Sequence, residues 1–116
     1  MQYMDHSQFA AAWESAWNSH DLNRIMTHYS DDVVFRSRKA VALTGTGEVR
    51  GHADLRTYWA AALDQQPNLR FYVTQVFAGY DVLTINYTNH KGVIAAETLW
   101  FRSDGLVTQA CACHAI

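Results

Sequence analysis

The sequence predicts an α+β fold in which helices dominate the first half and an antiparallel sheet completes the chain. Two stretches, His6 to Asn18 and His52 to Asp64, repeat apolar residues at helical spacing. After Pro67 the chain changes to short runs of β-branched and aromatic residues separated by turn residues, which reads as four consecutive strands. Helices first and strands afterwards indicate a curved sheet packed on the helices.

Asp5 followed three residues later by Gln8 is a capping-box pattern, and Phe9, Trp13, Ala16 and Trp17 then fall on one stripe of a first helix, His6 to Asn18. Asn18-Ser19-His20-Asp21 breaks it. Asp21 caps a shorter second helix whose apolar side is Leu22, Ile25, Met26 and Tyr29, and Ser30-Asp31-Asp32 ends that helix. Val33, Val34 and Phe35 form a short first strand with Val33, Phe35 and Ser37 on one face. From Arg38 to Arg50 the periodicity disappears. Thr44-Gly45-Thr46-Gly47 reads as a flexible loop, either a rim or lid over a site or a plain long connection. Leu55, Tyr58, Trp59, Ala62 and Leu63 place the third helix, and Gln65-Gln66-Pro67-Asn68 stops it. The four strands are Leu69 to Ala78, Val82 to Asn89, Val93 to Arg102 and Leu106 to His114. Gly79-Tyr80-Asp81 turns the first pair, His90-Lys91-Gly92 makes a three-residue hairpin with Gly left-handed, and Asp104-Gly105 reads as a two-residue type I′ turn.

With 116 residues the chain is expected to form one domain with a real core. A formal charge of -2 and no basic block argue against nucleic acid or an anionic membrane surface as partner. No apolar run approaches the ~20 residues that span a bilayer, and no leader pattern opens the chain, so a soluble, cytoplasmic protein is expected. Cys111 and Cys113 sit two apart on one strand, where a mutual disulfide would be strained. They read as two small apolar strand residues, because as metal ligands they lack a second pair. None of the six His falls in a ligand spacing, and no phosphate loop is present; neither a metal nor a cofactor is expected.

The turns fix which residues share a face. A two-residue loop at Asp104-Gly105 pairs Glu97 with Ala112, Leu99 with Ala110 and Ala95 with His114, while the preceding hairpin pairs Ile85 with Glu97 and Tyr87 with Ala95. The inward face then carries Leu83, Ile85, Tyr87, Ala95, Glu97, Leu99, Phe101, Ala110, Ala112 and His114. Opposite it lie Trp13, Trp17, Tyr58 and Trp59, joined by Phe35 and Ser37 of the first strand as candidate ligand contacts. An apolar face holding one carboxylate and one imidazole, with alanines beside them that leave space, has the pattern of a ligand cavity.

A carboxylate on such a face is paired or protonated, since desolvation raises its pKa, and a neutral acid donates a hydrogen bond to a developing oxyanion. Glu97 is therefore the candidate proton donor, assisted by His114 or Tyr87; alternatively it is tied structurally to Tyr87, His114 or an indole. His114 sits either at the cavity mouth as a group titrating near neutrality or at a partly exposed strand end. His28, beside Tyr29, either lies on the surface or turns inward, and His6, His20, His52 and His90 are expected to be solvated.

Four segments carry a family resemblance: Ala16-Trp17-Asn18-Ser19-His20-Asp21-Leu22, Tyr29-Ser30-Asp31-Asp32-Val33-Val34-Phe35, Gly47-Glu48-Val49-Arg50-Gly51-His52-Ala53-Asp54-Leu55, and Phe101-Arg102-Ser103-Asp104-Gly105-Leu106-Val107. Through them the chain resembles the NTF2-like superfamily, and within it the SnoaL-like and ketosteroid-isomerase-like group, over nearly its whole length. The resemblance implies a cone-shaped domain, three N-terminal helices on a strongly curved, mostly antiparallel sheet, with a deep apolar cavity. It also implies a homodimer through the sheet's outer face, here Thr98, Trp100, Val107, Gln109, Cys111 and Cys113. In ketosteroid isomerases the general base is an Asp just after strand one, a position that falls here at Ser37. Their oxyanion-hole Asp falls at Glu97 and their helix-one Tyr at Trp13. The acid is kept and the base is not, so the family's steroid isomerisation is not expected. What is expected is a small apolar or cyclic organic ligand and acid/base chemistry of an isomerase, cyclase or hydrolase. The alternative is a ligand-binding or dimerisation module without chemistry.

Overall fold

The first helix begins at a reciprocal cap. The Asp5 carboxylate accepts the Gln8 N–H at 2.9 Å, and the Gln8 side chain accepts the Asp5 N–H at 3.2 Å. In this computed structural model, which describes residues 5–116, the helix runs His6–Ser19 (α1) and ends at His20 in the left-handed region. The Asp21 carboxylate caps α2 (Leu22–Met26). There follow β1 (Tyr29–Ser37), a 3-10 turn (Arg38–Ala40), α3 (Val41–Thr44), β2 (Glu48–Arg50), α4 (His52–Gln65), β3 (Phe71–Gly79), β4 (Val82–Asn89), β5 (Ile94–Phe101) and β6 (Val107–His114).

The strands form one sheet in the order β2-β1-β6-β5-β4-β3, antiparallel throughout except where β1 runs parallel to β6. The sheet curves around α1 and α4 without closing. Its β3 edge is not left bare: Asn18 and Phe71 exchange two hydrogen bonds at 2.7 and 2.9 Å, the Glu14 carboxylate accepts the Val73 N–H at 2.6 Å, and His20 Nε2–H donates to the Leu69 carbonyl at 2.8 Å. Helix side chains thus occupy the outward backbone groups of an edge strand, which blunts it and bends the sheet onto the helix. Immediately after Val73 an extra residue, Thr74, interrupts the ladder before Gln75.

Two expectations change. β1 begins at Tyr29, so Ser30-Asp31-Asp32 lies inside a strand rather than ending a helix. Pairing of Tyr29 with Val107 supplies a long-range partner that local polarity does not reveal. Residues 38–50 are not a loop but a 3-10 turn, a short helix and a strand, β2, whose Val49 pairs with Phe35. Glu48 there bridges Arg36 and Arg50 at 2.9 and 2.7 Å.

The last hairpin reaches the expected register by another route. Gly105 is left-handed at φ 86° but Asp104 is not, and the Gly105 N–H donates to the Arg102 carbonyl while Arg102 N–H donates to Leu106. The loop therefore has three residues, 103–105. A three-residue loop alone would reverse the facing of β6. A bulge at Thr108 restores it, since Phe101 pairs with Val107 but Trp100 pairs with Gln109. Glu97 then meets Ala112, Leu99 meets Ala110 and Ala95 meets His114, while Ile85 meets Glu97 across β4. The bulge also corrects one assignment: Val107 faces the core with no exposed surface, not the outer face.

Gly51 links β2 to α4 at φ 89° and ψ 151°, a region open essentially to glycine, with its N–H held by the Val33 carbonyl at 2.7 Å. Gly51→Ala should cost about 1–3 kcal/mol of stability through backbone strain alone, because a Cβ there meets nothing nearer than the Asp31 carbonyl at 4.0 Å. Urea unfolding is the measurement; an unchanged midpoint would contradict the assigned conformation.

Candidate functional site

The register of β4, β5 and β6 brings Tyr87, Ala95, Glu97, Ala112 and His114 onto one patch of the concave face, and α1, β1 and α4 cover it with Trp17, Phe35, Tyr58 and Trp59. Between them is a cavity of about 80 Å³. Ala95 and Ala112 flank Glu97 and leave that space. Its inner wall is aromatic. Trp59 packs edge-on against Trp17, Tyr29 and Phe35, with ring centroids 4.9, 4.9 and 5.2 Å apart, and Phe71 lies 4.6 Å from Tyr87. Its polar lining is Lys39, Gln66, Asn89 and His114, exposed or half-buried at the outer end, and Ser37, buried in the wall in register with Ala112 and Glu97.

Of the residues singled out in the sequence, Trp17, Phe35, Ser37, Tyr58, Trp59, Tyr87, Glu97, Ala112 and His114 line the cavity. Trp13, Ile85, Leu99 and Ala110 do not; they form the packed layer behind its wall. The cavity is shallower than a deep cone because large rings fill the cone's interior, Trp13 stacking on Phe71 at 5.4 Å. Several lining residues were not legible. Lys39 lies in the stretch that lacks periodicity, and Gln66, Leu69 and Asn89 sit at element ends where direction depends on the fold.

Glu97 is 5% exposed, and its Oε2 is buried without a hydrogen-bond partner among the described residues. Burial raises its pKa to about 7, opposed by the Trp13 indole. That indole N–H falls outside hydrogen-bonding geometry, as do the Trp17 N–H and the Tyr29 hydroxyl buried nearby. Tyr29, expected on a helix, is thus a polar neighbour of Glu97 that the sequence did not reveal. Burial and then the Glu97 charge push the Tyr29, Tyr58 and Tyr87 hydroxyls upward, so all three stay protonated at neutral pH. Tyr87 is therefore a hydrogen-bond donor and not a base. His114, half-buried, has its pKa lowered by burial and then by Lys39 and Arg38, which favours the neutral imidazole.

Three of the remaining histidines are held by the fold rather than solvated. His20 and His52 donate to the Leu69 and Met26 carbonyls, and His28, half-buried, packs edge-on against Phe9 at 5.1 Å. Cys111 and Cys113 are free, their sulfurs 3.9 Å apart on the outer face. Among the described residues no group of three or more His, Cys, Asp or Glu is placed to hold a metal ion, and no helix is long and apolar enough to cross a membrane.

Residues 10–110, almost the whole of this architecture, match the SnoaL-like domain. The chain belongs to the SnoaL-like family. A SnoaL-like protein of unknown function from Burkholderia thailandensis is 37% identical, with 96% of this chain and 95% of that one aligned at a TM-score of 0.90. An NTF2-like protein of unknown function from Cytophaga hutchinsonii shares the fold at 11% identity, 98% and 93% coverage and a TM-score of 0.73. So does a Catenulispora acidiphila protein of ketosteroid isomerase-like fold, solved with trimethylamine, at 20% identity, 97% and 88% coverage and a TM-score of 0.73. No curated protein matches the chain. This SnoaL-like chain thus has the NTF2-like α+β fold, with its N-terminal helices against a curved, unclosed sheet.

The electrostatics of Glu97 have a measurable signature. In the folded state its proton is held up to about pH 7, against an ordinary value of 4.5. Folding therefore binds the proton more tightly than the unfolded chain does, and this group's contribution to stability falls as pH rises from about 4.5 to about 7. The fall is on the order of 3 kcal/mol. His28 and His114, whose pKa values are lowered, work in the opposite sense, with stability lost as pH falls below their unfolded value. The difference in unfolding free energy between wild type and Glu97→Gln isolates the carboxyl: it should decline across that window and flatten above it. A pH-independent difference would show that the carboxyl is not desolvated.

Proposed function

We propose that this SnoaL-like protein binds a small, largely apolar, oxygen-bearing molecule in the cavity and carries out acid/base chemistry on it. The observation that carries the reading is a buried carboxyl at the cavity wall whose Oε2 has no partner within the described residues. Held mostly protonated below about pH 7 by its burial, Glu97 is set to donate to a ligand oxygen and stabilise the negative charge that develops there. His114 lines the same cavity and is favoured in the neutral form, so it is the group available to take a proton. With Ser37 where the ketosteroid isomerases carry their base, removal of a proton beside a carbonyl falls to His114, and Glu97 supplies the proton or hydrogen bond to the carbonyl oxygen. Tyr87, held protonated, adds a donor.

The size of the cavity favours a second reading, a binder without chemistry. About 80 Å³ is well below the roughly 300 Å³ of small drug-sized sites. The structure of the Catenulispora neighbour likewise holds a small molecule, trimethylamine. The two readings separate in one experiment. A thermal-shift screen of small oxygenated metabolites identifies a ligand, and its binding and conversion are then followed against pH in wild type and in Glu97→Gln. Acid/base chemistry predicts conversion that falls as pH rises through about 7 and drops roughly 100-fold or more in the variant. Binding without conversion supports the second reading, and unchanged conversion in Glu97→Gln would remove Glu97 from the mechanism.

The same reading includes a homodimer through the outer sheet face, where Ile94, Trp100, Tyr72 and Phe77 are 61, 40, 49 and 48% exposed. Sedimentation equilibrium should give twice the chain mass, and Trp100→Glu should return the monomer. A monomeric wild type would sink the dimer.

A further inference from the structure

We infer that the mouth of the cavity selects anions, and that the ligand is a small organic carboxylate whose charged end sits at Lys39 while a second oxygen reaches inward toward Glu97. The inference rests on the cavity being the ligand site, as proposed above, and adds the chemistry of what enters it.

Charge at the mouth is one-sided. Lys39 lines it, and the charges acting on Lys39 and His114 are those of Lys91, Arg38 and Lys39 itself. No carboxylate is among them. Among the described residues the ion pairs of the chain lie elsewhere, in Arg36, Glu48 and Arg50 and in Arg102, Asp32 and Asp104. In a chain of formal charge -2, Lys39 thus lines the opening without an ion pair, and the other charges felt there, those of Lys91 and Arg38, are also positive. Such a concentration draws an anion to the entrance and aligns it there.

The neutral polar groups of the lining point the same way. Ser37 Oγ already accepts the Lys39 N–H at 3.2 Å, which leaves its own O–H to donate. Asn89 Oδ1 accepts the N–H groups of Lys91 and Val93 at 2.9 and 3.0 Å, which leaves the Nδ2 amide. The donors remaining suit a carboxylate better than a neutral or cationic group. The one carboxyl in the cavity wall, Glu97, lies at the inner end, 5% exposed. The two ends therefore differ: a cation at the mouth and, within, an acid that below about pH 7 is mostly neutral and does not repel an anion. Burial and the charge of Lys91 hold the Lys39 pKa down, a cost that a bound anion relieves. A cavity of about 80 Å³ limits the enclosed part to a few heavy atoms, which fits a short oxo acid.

The test uses the full chain and a matched series: acetate, butyrate and 4-oxopentanoate, each against its primary amide, followed by the indole N–H resonances of Trp17 and Trp59. At low ionic strength the carboxylate that fits best should bind about tenfold tighter than its amide, and added salt should erode that preference. Lys39→Gln should abolish the preference while leaving amide binding in place, and Lys39→Arg should restore it. Amides that bind as tightly as carboxylates, or a preference that survives Lys39→Gln, would overturn the anion-selecting mouth and leave the cavity reading standing. Carboxylate binding that Glu97→Gln and Trp59→Ala leave untouched would overturn the cavity reading, and the mouth with it. The same holds if no member of the series moves either indole resonance.

Discussion

The fold depends on how α1 holds the edge of the sheet. Glu14, Asn18 and His20 satisfy backbone groups of residues 69–73 with distances of 2.6 to 2.9 Å. A β-strand at a sheet edge otherwise presents a row of open donors and acceptors. By taking them up with side chains from one helix, the chain fixes β3 against α1 and so sets the curvature of the sheet. Curvature creates the concave face, and the concave face is where Trp13, Trp17, Phe71 and Tyr87 pack ring on ring.

Within that apolar concavity sits a single carboxyl group. Burial of this kind is costly for a charge, so the group's environment shifts it toward the neutral acid rather than supplying a counter-ion. Its neighbours are consistent with that: tyrosine hydroxyls and indole N–H groups, none of them charged at neutral pH. The cations of the cavity are kept at the mouth instead. A separation between a buried acid inside and positive charge outside gives the cavity a direction, and the proposed chemistry assigns proton exchange with a ligand to Glu97 and His114.

Register decides which side chains belong to this arrangement. The inward facing of Glu97, Ala112 and His114 was legible because the hairpin at Gly92 is set by a glycine with φ 79°, and its parity fixes β5. For β6 the sequence suggested the right pairs from the wrong turn. A three-residue loop and the Thr108 bulge each shift the ladder by one, and the shifts cancel. No local signal distinguishes that pair of irregularities from a plain two-residue turn, except that Val107 moved from the outer face to the core. The site was legible to the same degree. Glu97 and the aromatic wall followed from periodicity, whereas Lys39, Gln66 and Asn89 come from segment ends, and Tyr29 was placed on the wrong element because its strand partner is Val107, far along the chain.

The amino-acid sequence alone determined the helices α1, α2 and α4, the caps of the first two, the places of the three hairpins and the alternation that puts an acid on an apolar face, because these are set by residues within a few positions of one another. It also carried the resemblance that the family match now establishes. Tertiary structure decided what lies between sequence-distant segments: β1 beside β6, β2 beside β1, α1 along the edge of β3, and how much of the cone is left open. The size of a cavity and the charge at its mouth are sums over side chains from many elements, and only their packing in three dimensions fixes them.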